Sequence, residues 1–254
     1  VKRHGIVVVG METSGVMRRA FQALGHETYS IDRLPSQDDG EEMAYSADGL
    51  PLGRHMTGDI FEMLENMRAT DMWPAAAVLH PDCTNLTNSA SWAFADPDYT
   101  RWPGVGYHQK VKPETLVGRA RRDARREAVA HVNRLAALPI DIKVIENPVG
   151  HLSSAWCRPS DIVQPYHFGD DASKATCLWF INRDAQVLDW QLPRDPAKLV
   201  PARNVGGRLR WANQTDAGQN RISPGADRWQ KRADTYPGIA AAVAQSVSNF
   251  IGRN

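Results

Sequence analysis

Ala75-Ala76-Ala77-Val78-Leu79-His80-Pro81-Asp82-Cys83-Thr84 decides the fold, together with Ile142-Lys143-Val144-Ile145-Glu146-Asn147-Pro148 about sixty residues later. Each stretch begins as a short apolar run and ends in polar residues and proline. Such runs read as buried parallel strands. A thiol at Cys83 and a carboxylate at Glu146 then stand at the carboxyl edge of one sheet, where open α/β sheets bind ligands. A cysteine nucleophile beside a proton donor is equipped to attack an electron-poor ring and to steady the charge that results. The pair therefore points to covalent chemistry on a pyrimidine.

Outward from these two stretches, strand-like and helix-like segments alternate. Ile6–Val9 is a β-branched run. Val16–Leu24 has helical spacing, with Val16, Ala20, Phe21 and Leu24 on one face and Thr13 or Ser14 as its cap. Thr28–Ile31 reads as a second strand ending at Asp32, and Ile60–Met67 as a short helix. Thr115–Leu138 reads as a long helix stopped by Pro139. Cys177–Ile181 is a further strand, and Gly238–Ile251 returns to helical spacing. This alternation predicts an α/β fold with a doubly wound, mostly parallel sheet.

Two regions break the pattern. Ser91–Pro113 carries Trp92, Phe94, Tyr99, Trp102 and Tyr107 among glycines and prolines, and reads as a long ordered loop. It is either an aromatic flap packed on itself or a lid over the site. Arg183–Arg232 holds ten Lys or Arg against five acids and is rich in Pro, Gly and Asn. It is expected to form a small irregular lobe able to attract phosphates. The domain plan is thus a core over 1–182, a lobe over 183–232 and a returning helix over 233–254. Arg119, Arg121, Arg122, Arg125 and Arg126 form a basic helical stretch. It reads as a solvated face paired with Asp123 and Glu127, or as a phosphate-binding face.

The bulk numbers exclude several classes. The 254 residues suffice for one large domain, or a domain with a small lobe. At 42% hydrophobic and 23% charged the composition is that of an ordinary soluble protein, and no apolar run is long enough for a membrane helix. The run after Val1-Lys2-Arg3-His4 is too short for a signal-peptide core. Three cysteines without a CxxC pair argue against a disulfide framework or structural zinc, and the eight histidines form no HExxH pair, so no metal is expected. The expected setting is a reducing cytoplasm. A net charge of +1 makes the whole chain no magnet for nucleic acid, so DNA contacts must come from local patches.

Val9-Gly10-Met11-Glu12-Thr13-Ser14-Gly15 joins the first strand to the first helix. A small-residue turn there lets backbone N–H groups approach a ligand, although many α/β proteins carry one without a cofactor. Asp32 ends the second strand, where an acid accepts both hydroxyls of a ribose or simply faces solvent. Asp59, in Thr57-Gly58-Asp59-Ile60, is placed to read an adenine amino group. The order of glycine turn, acid, Gly-Asp-Ile and Pro-x-Cys is more specific than any part. Cys157 and Cys177 read as structural, and His80 as positional.

In that order the chain resembles the DNA cytosine-5 methyltransferases, most closely the short phage and prophage proteins of that kind. The resembling segments are Glu12–Val16 with Ala20-Phe21 and Gly25-His26; Ser30-Ile31-Asp32; Gly58-Asp59-Ile60; His80–Thr84; Ile145–Gly150; Gln164–Gly169 with Ser173–Trp179; and Asp227-Arg228-Trp229 through Arg232 with Thr235–Ala240. Together they span nearly the whole chain. The resemblance implies a Rossmann-like methyltransferase fold. It implies that Cys83 attacks carbon 6 of a flipped cytosine and that Glu146 holds or protonates ring nitrogen 3. Lys174 falls near an arginine that contacts the base in full-length enzymes. Gly10, Glu12, Ser14, Gly15, Asp32, Asp59 and Pro81 would line an S-adenosylmethionine site, closed by Tyr236–Ala240.

The chain departs from the full-length pattern in three ways. Asp82 stands where those enzymes carry a second proline, and a negative charge there opposes thiolate formation. The first turn has only two flanking glycines. The large recognition domain is absent or reduced to Arg183–Arg232, where Arg208, Arg210, Trp211, Arg221, Arg228 and Trp229 are candidates for holding DNA around an extracted base. Three functions follow. The first is methyl transfer to carbon 5 of cytosine in DNA. The second is the same chemistry on a free pyrimidine nucleotide or a single strand. The third is a degenerate methyltransferase fold that binds nucleic acid without turnover.

Overall fold

The computed structural model describes residues 5–38, 55–223 and 234–252. Its centre is a seven-stranded sheet formed by β1 (Val7–Gly10), β2 (Thr28–Asp32), β3 (His55–Thr57), β4 (Ala76–Leu79), β5 (Ile142–Pro148), β6 (Asp161–Val163) and β7 (Thr176–Asn182). The strand order is β3-β2-β1-β4-β5-β7-β6. The five strands from β3 to β5 are parallel, while β7 runs antiparallel to both β5 and β6. The fold is therefore mixed α/β with a mostly parallel sheet.

Side-chain alternation sends Val7 and Val9 to one face and Val8 to the other. On the first face, Met17 and Phe21 of α1 (Val16–Gln22) and Ile239, Ala240, Val243, Ala244 and Val247 of α4 (Pro237–Ile251) close a core with Val78, Val144 and Phe180. On the second, Ile60, Leu64 and Met67 of α2 (Ile60–Ala69) and Val132, Leu135 and Ala136 of α3 (Gly118–Ala136) cover Tyr29, Ile31, Ile145 and Trp179. Each buried Val, Leu, Ile, Met or Phe side chain among them contributes about 1.5–3 kcal/mol on burial. Among the described residues no helix is long and apolar enough to cross a membrane.

The chain steps outward from β1 through β2 to β3, then returns to place β4 against the other side of β1. Such a reversal, at the carboxyl ends of β1 and β4, is where open α/β sheets bind ligands. Because the five strands are parallel, Met11, Asp32, Asp59, His80 and Glu146 share that edge. β7 is antiparallel and pairs Thr176 with Pro148, so it begins at the same edge and carries Lys174 there.

Several element bounds differ from the sequence reading. α1 ends at Gln22 rather than Leu24, α2 runs on to Ala69, and α3 spans Gly118–Ala136 rather than Thr115–Leu138. Gly15, with φ 70°, holds the cap position of α1 in place of Thr13 or Ser14, and Ser14 Oγ accepts from Val16 N–H at 3.2 Å. Ser91–Pro113 begins with one 3₁₀ turn (Ser91–Phe94) and packs on itself. Trp92 meets Tyr107 and His108 edge-on at 5.2 and 5.4 Å between ring centres.

The region after β7 is less separate than expected. Trp190 stacks on Phe180 at 5.2 Å, and Leu192 is buried in the core. Only beyond Pro196–Lys198 does the chain leave the sheet. There it forms a two-stranded ribbon, β8 (Arg203–Val205) and β9 (Arg208–Arg210), turning at Gly206-Gly207. Asp227, Arg228, Trp229 and Arg232 lie outside the described residues.

Candidate active site

The register of the sheet assembles the site. Leu79 pairs with Ile145, so His80 and Glu146 leave neighbouring parallel strands side by side. His80 N–H donates to Gly10 O at 2.9 Å and extends the β1–β4 ladder by one residue. The His80 ring Nδ1 lies 2.9 Å from Glu146 Oε2. Asn147 Nδ2 donates to Pro81 O at 2.9 Å and ties the next step of the cysteine loop to β5. Pro81 is thereby a fixed point of that loop.

Cys83 opens a tight turn in which its carbonyl accepts from Leu86 N–H at 2.9 Å and Thr87 N–H at 3.0 Å. Asp82 Oδ1 accepts from Thr84 N–H at 2.9 Å and from the Thr84 hydroxyl at 2.6 Å. The far side of the turn is pinned to the segment after β5. His151 N–H donates to Leu86 O at 2.7 Å, and a Cβ at Gly150 would come within 2.4 Å of that same oxygen. Only glycine permits that approach.

α3 holds the loop from behind, which the sequence reading of its arginines missed. Arg119 and Arg126 do pair with Asp123 in solvent. Arg121 and Arg125 instead point inward. Arg125 Nε donates to Asn85 O at 2.8 Å, Arg121 donates to Thr84 O at 3.4 Å, and both guanidiniums lie over the Phe94 ring. Arg122 donates to Phe94 O at 2.7 Å and pairs with Asp96. The signal was available: 121, 125, 128, 132 and 135 form one i, i+4, i+7 stripe continuous with the buried face of α3.

Cys83 is half-buried and its thiol is pushed up, first by burial and then by the charges of Asp82 and Glu146; Lys174 opposes the shift. Burial alone would also raise the Glu146 carboxyl. The His80 hydrogen bond, the His80 charge and Lys174 outweigh it and hold Glu146 below its ordinary range. Lys174 thus acts on both groups. Its Nζ donates to Asp234 O at 3.0 Å, and its backbone N–H donates to Gln164 Oε1 at 2.9 Å. Asn213 clamps the preceding residue, accepting from Ser173 N–H at 2.9 Å and donating to Ser173 O at 3.0 Å. Trp211 stacks on Tyr166 at 4.1 Å, so the base of the ribbon is docked beside Lys174.

The neighbouring corner, beyond β1 and β2, is acidic. Glu12 is buried, its Oε1 accepts from the Ser14 hydroxyl, and its Oε2 has no hydrogen-bond partner among the described residues. Asp32 gives one oxygen to Leu34 N–H at 2.8 Å. Asp59 caps α2 through Phe61 N–H at 3.0 Å and pairs with Arg33 at 2.6 Å, which holds its carboxyl low. Gly10 packs against Leu79 and Ile60. Asp38, paired with Arg18 and Arg19, lies against Gly15. The Asp234 carboxyl is pushed up, first by burial and also by Glu12, while Lys174 opposes the shift. Thr235 Oγ1 beside it is also buried and unpartnered among the described residues.

Cys157 and Cys177 are not part of the Cys83 loop, although Cys177 sits on β7 opposite Asn147 and feels the charge of Glu146. Cys177 is fully buried and its thiol is pushed up to about 11 by burial; Cys157 packs beside Trp156 and Trp179. No family model matches the chain, and no curated protein matches it.

Proposed function

We propose that the protein is an S-adenosylmethionine-dependent methyltransferase acting on carbon 5 of cytosine in DNA through a covalent Cys83 adduct. The observation that carries this reading is the meeting of Cys83, Glu146 and Lys174 at one sheet edge, each within electrostatic reach of the others. In this reading Cys83 adds to carbon 6 as a thiolate, Glu146 holds ring nitrogen 3, and Lys174 offsets the negative charge around the thiol. The helices on both sheet faces accord with a doubly wound, Rossmann-like methyltransferase fold carrying a small lobe.

The acidic corner suits the cofactor. S-adenosylmethionine supplies an electrophilic methyl group and carries positive charge at its sulfonium. The buried, unpartnered Glu12 Oε2 and the half-used Asp32 are acceptors of the kind such a cation and its ribose hydroxyls need. Glu12, Ser14 and Asp32 would hold it, with Asp59 toward the adenine.

The ribbon favours DNA over a free nucleotide. Arg203 pairs with Arg210 and Val205 with Arg208, so the three arginines share one face. A two-stranded ribbon fits the major groove, and arginine reaches phosphates or guanine edges there. Arg208→Ala should therefore reduce the salt slope of DNA binding by about 0.9 for one lost phosphate contact. The degenerate reading has its own support in the raised Cys83 thiol. Incubation with S-adenosylmethionine bearing a labelled methyl separates the readings, with duplex, single-stranded oligonucleotide and deoxycytidine monophosphate offered in parallel. The proposal expects label in duplex cytosine. Label only in the monophosphate supports the nucleotide reading, and label in none supports the degenerate one.

A further inference from the structure

We infer that His80 is a positioning residue that, paired with Glu146, stores the proton delivered to the substrate ring. The inference rests on the methyltransferase reading and adds to it a residue outside the Cys83–Glu146–Lys174 set. It begins with geometry. His80 and Glu146 are adjacent in register, their side chains are 9% and 10% exposed, and Nδ1 and Oε2 are 2.9 Å apart. Nε2 of the same ring is buried and has no hydrogen-bond partner among the described residues.

A carboxylate held below its ordinary range by its neighbours is a poor acid, yet addition to carbon 6 places negative charge on the ring. The pair resolves this conflict. A proton held between Nδ1 and Oε2 makes the couple imidazolium and carboxylate, or imidazole and carboxylic acid when the ring demands it. Cys83, having lost its own proton to water, forms the sulfur–carbon 6 bond. The π electrons of the carbon 5–carbon 6 bond move into the ring. Nitrogen 3 takes that proton through Glu146, and the couple is left as neutral imidazole and carboxylate. When elimination breaks the sulfur–carbon 6 bond, the proton returns from nitrogen 3 to the couple. The couple thus ends the cycle as it began; the methyl would come from S-adenosylmethionine, and the carbon 5 proton lost on elimination would pass to a base outside the couple. Fixing Oε2 on His80 also leaves Oε1 to face the base. The titratable groups that interact with Glu146, besides His80, are Cys83 from the loop after β4, Lys174 from the segment before β7 and Cys177 of β7, while Asp82 acts on Cys83. Its ionisations belong to the pair rather than to either residue.

Two measurements test this. The first follows the imidazole nitrogens by long-range proton–nitrogen spectra across pH, with the His80 ring identified by its loss in His80→Gln. In Glu146→Gln the titration of that ring should move to lower pH, because the carboxylate that favours the imidazolium is gone. An unmoved titration overturns the pairing. The second is the rate of covalent trapping on a duplex of mixed sequence carrying 5-fluorocytosine, with S-adenosylmethionine present. His80→Gln and His80→Asn, each checked for folding by thermal melt, should trap roughly 10²-fold more slowly at neutral pH. The alkaline fall of their rate should begin at lower pH than in wild type, since Glu146 must then hold the proton alone. Wild-type rates and profile in both variants overturn the proposal. If wild type forms no adduct while the ring titration still moves in Glu146→Gln, the covalent reading has failed and the pairing has not.

Discussion

The two ends of β5 each bury an ionisable side chain, and they use it in opposite ways. Lys143, at the amino end, has no exposed surface, and its Nζ donates to Leu138 O at 2.8 Å, Ile140 O at 3.0 Å and Asn182 O at 2.7 Å. An ammonium has three donors, so its capacity is spent. Glu146, at the carboxyl end, is 8% exposed and gives one oxygen to His80. A carboxylate has about four acceptor positions, and the groups around this one are a thiol, a lysine and an imidazole with an unpartnered nitrogen. Burial of charge is therefore no mark of function by itself. Unspent hydrogen-bonding capacity beside other reactive groups is the mark, and the same distinction separates Glu12 from Asp59 in the acidic corner.

The comparison breaks if the two ends respond alike to removal of their charge. Glu146→Gln should slow trapping by 5-fluorocytosine DNA by about 10²–10⁴-fold, leave the Cys83 thiol open to small alkylating agents, and shift the denaturation midpoint little. Lys143→Met should do the reverse. It removes the Nζ donor from three backbone carbonyls, of which Leu138 O still accepts from Ile140 N–H at 2.8 Å, and each carbonyl left buried and unsatisfied costs about 1–3 kcal/mol. Chemical denaturation should show that loss, while trapping by the folded fraction stays at the wild-type rate.

A pH series sharpens the same contrast. Burial pushes Lys143 down to about 8 from its ordinary value of 10.5. Between those values the unfolded chain binds more protons at this residue than the folded one, so its contribution to stability rises as pH rises. Below about 8 both states are protonated and the contribution is flat. The stability difference between wild type and Lys143→Met should grow from pH 8 to 10.5 by up to about 3 kcal/mol. A flat difference would show that the lysine is not desolvated.

The smallest effects belong to the acidic corner. Asp32→Ala should weaken S-adenosylmethionine binding by about 1.5–3 kcal/mol, the range for hydrogen bonds to a charged group. Asp59→Ala should weaken it less, because the carboxylate is engaged by Phe61 N–H and Arg33. It should instead cost about 1 kcal/mol of stability through the lost α2 cap. Calorimetry and denaturation of the two variants decide the order.

Much of this arrangement was legible before any coordinates. β1, β4, β5 and β7 carry apolar runs, β2 carries Tyr29 and Ile31 ahead of an acid, and the placement of Cys83 and Glu146 at one edge follows from β4 and β5. β3 and β6 were not legible. Each is three residues long, and His55 and Asp161 give them no apolar pattern. What holds His55 in place is its ring, bonded to Ser30 Oγ and Leu34 O, and such contacts appear only once the chain is folded. The His80–Glu146 pair could have been found by aligning β4 and β5, since equal strand ends put the next residues together. The inward arginines of α3 were misread for a physical reason. Guanidinium is normally solvated, and here the carbonyls of the Cys83 loop, Leu116 O and the Phe94 ring offset its burial.

The most direct test of the account is the identity of the residue that carries a trapped base. Wild-type protein, S-adenosylmethionine and 5-fluorocytosine duplex should give a denaturation-resistant complex. After digestion, mass spectrometry should place the methylated fluoropyrimidine on the peptide containing Cys83, and Cys83→Ser should give none while still binding the cofactor. An adduct on Cys157, an adduct that persists in Cys83→Ser, or no adduct from a protein that binds both cofactor and DNA would contradict it.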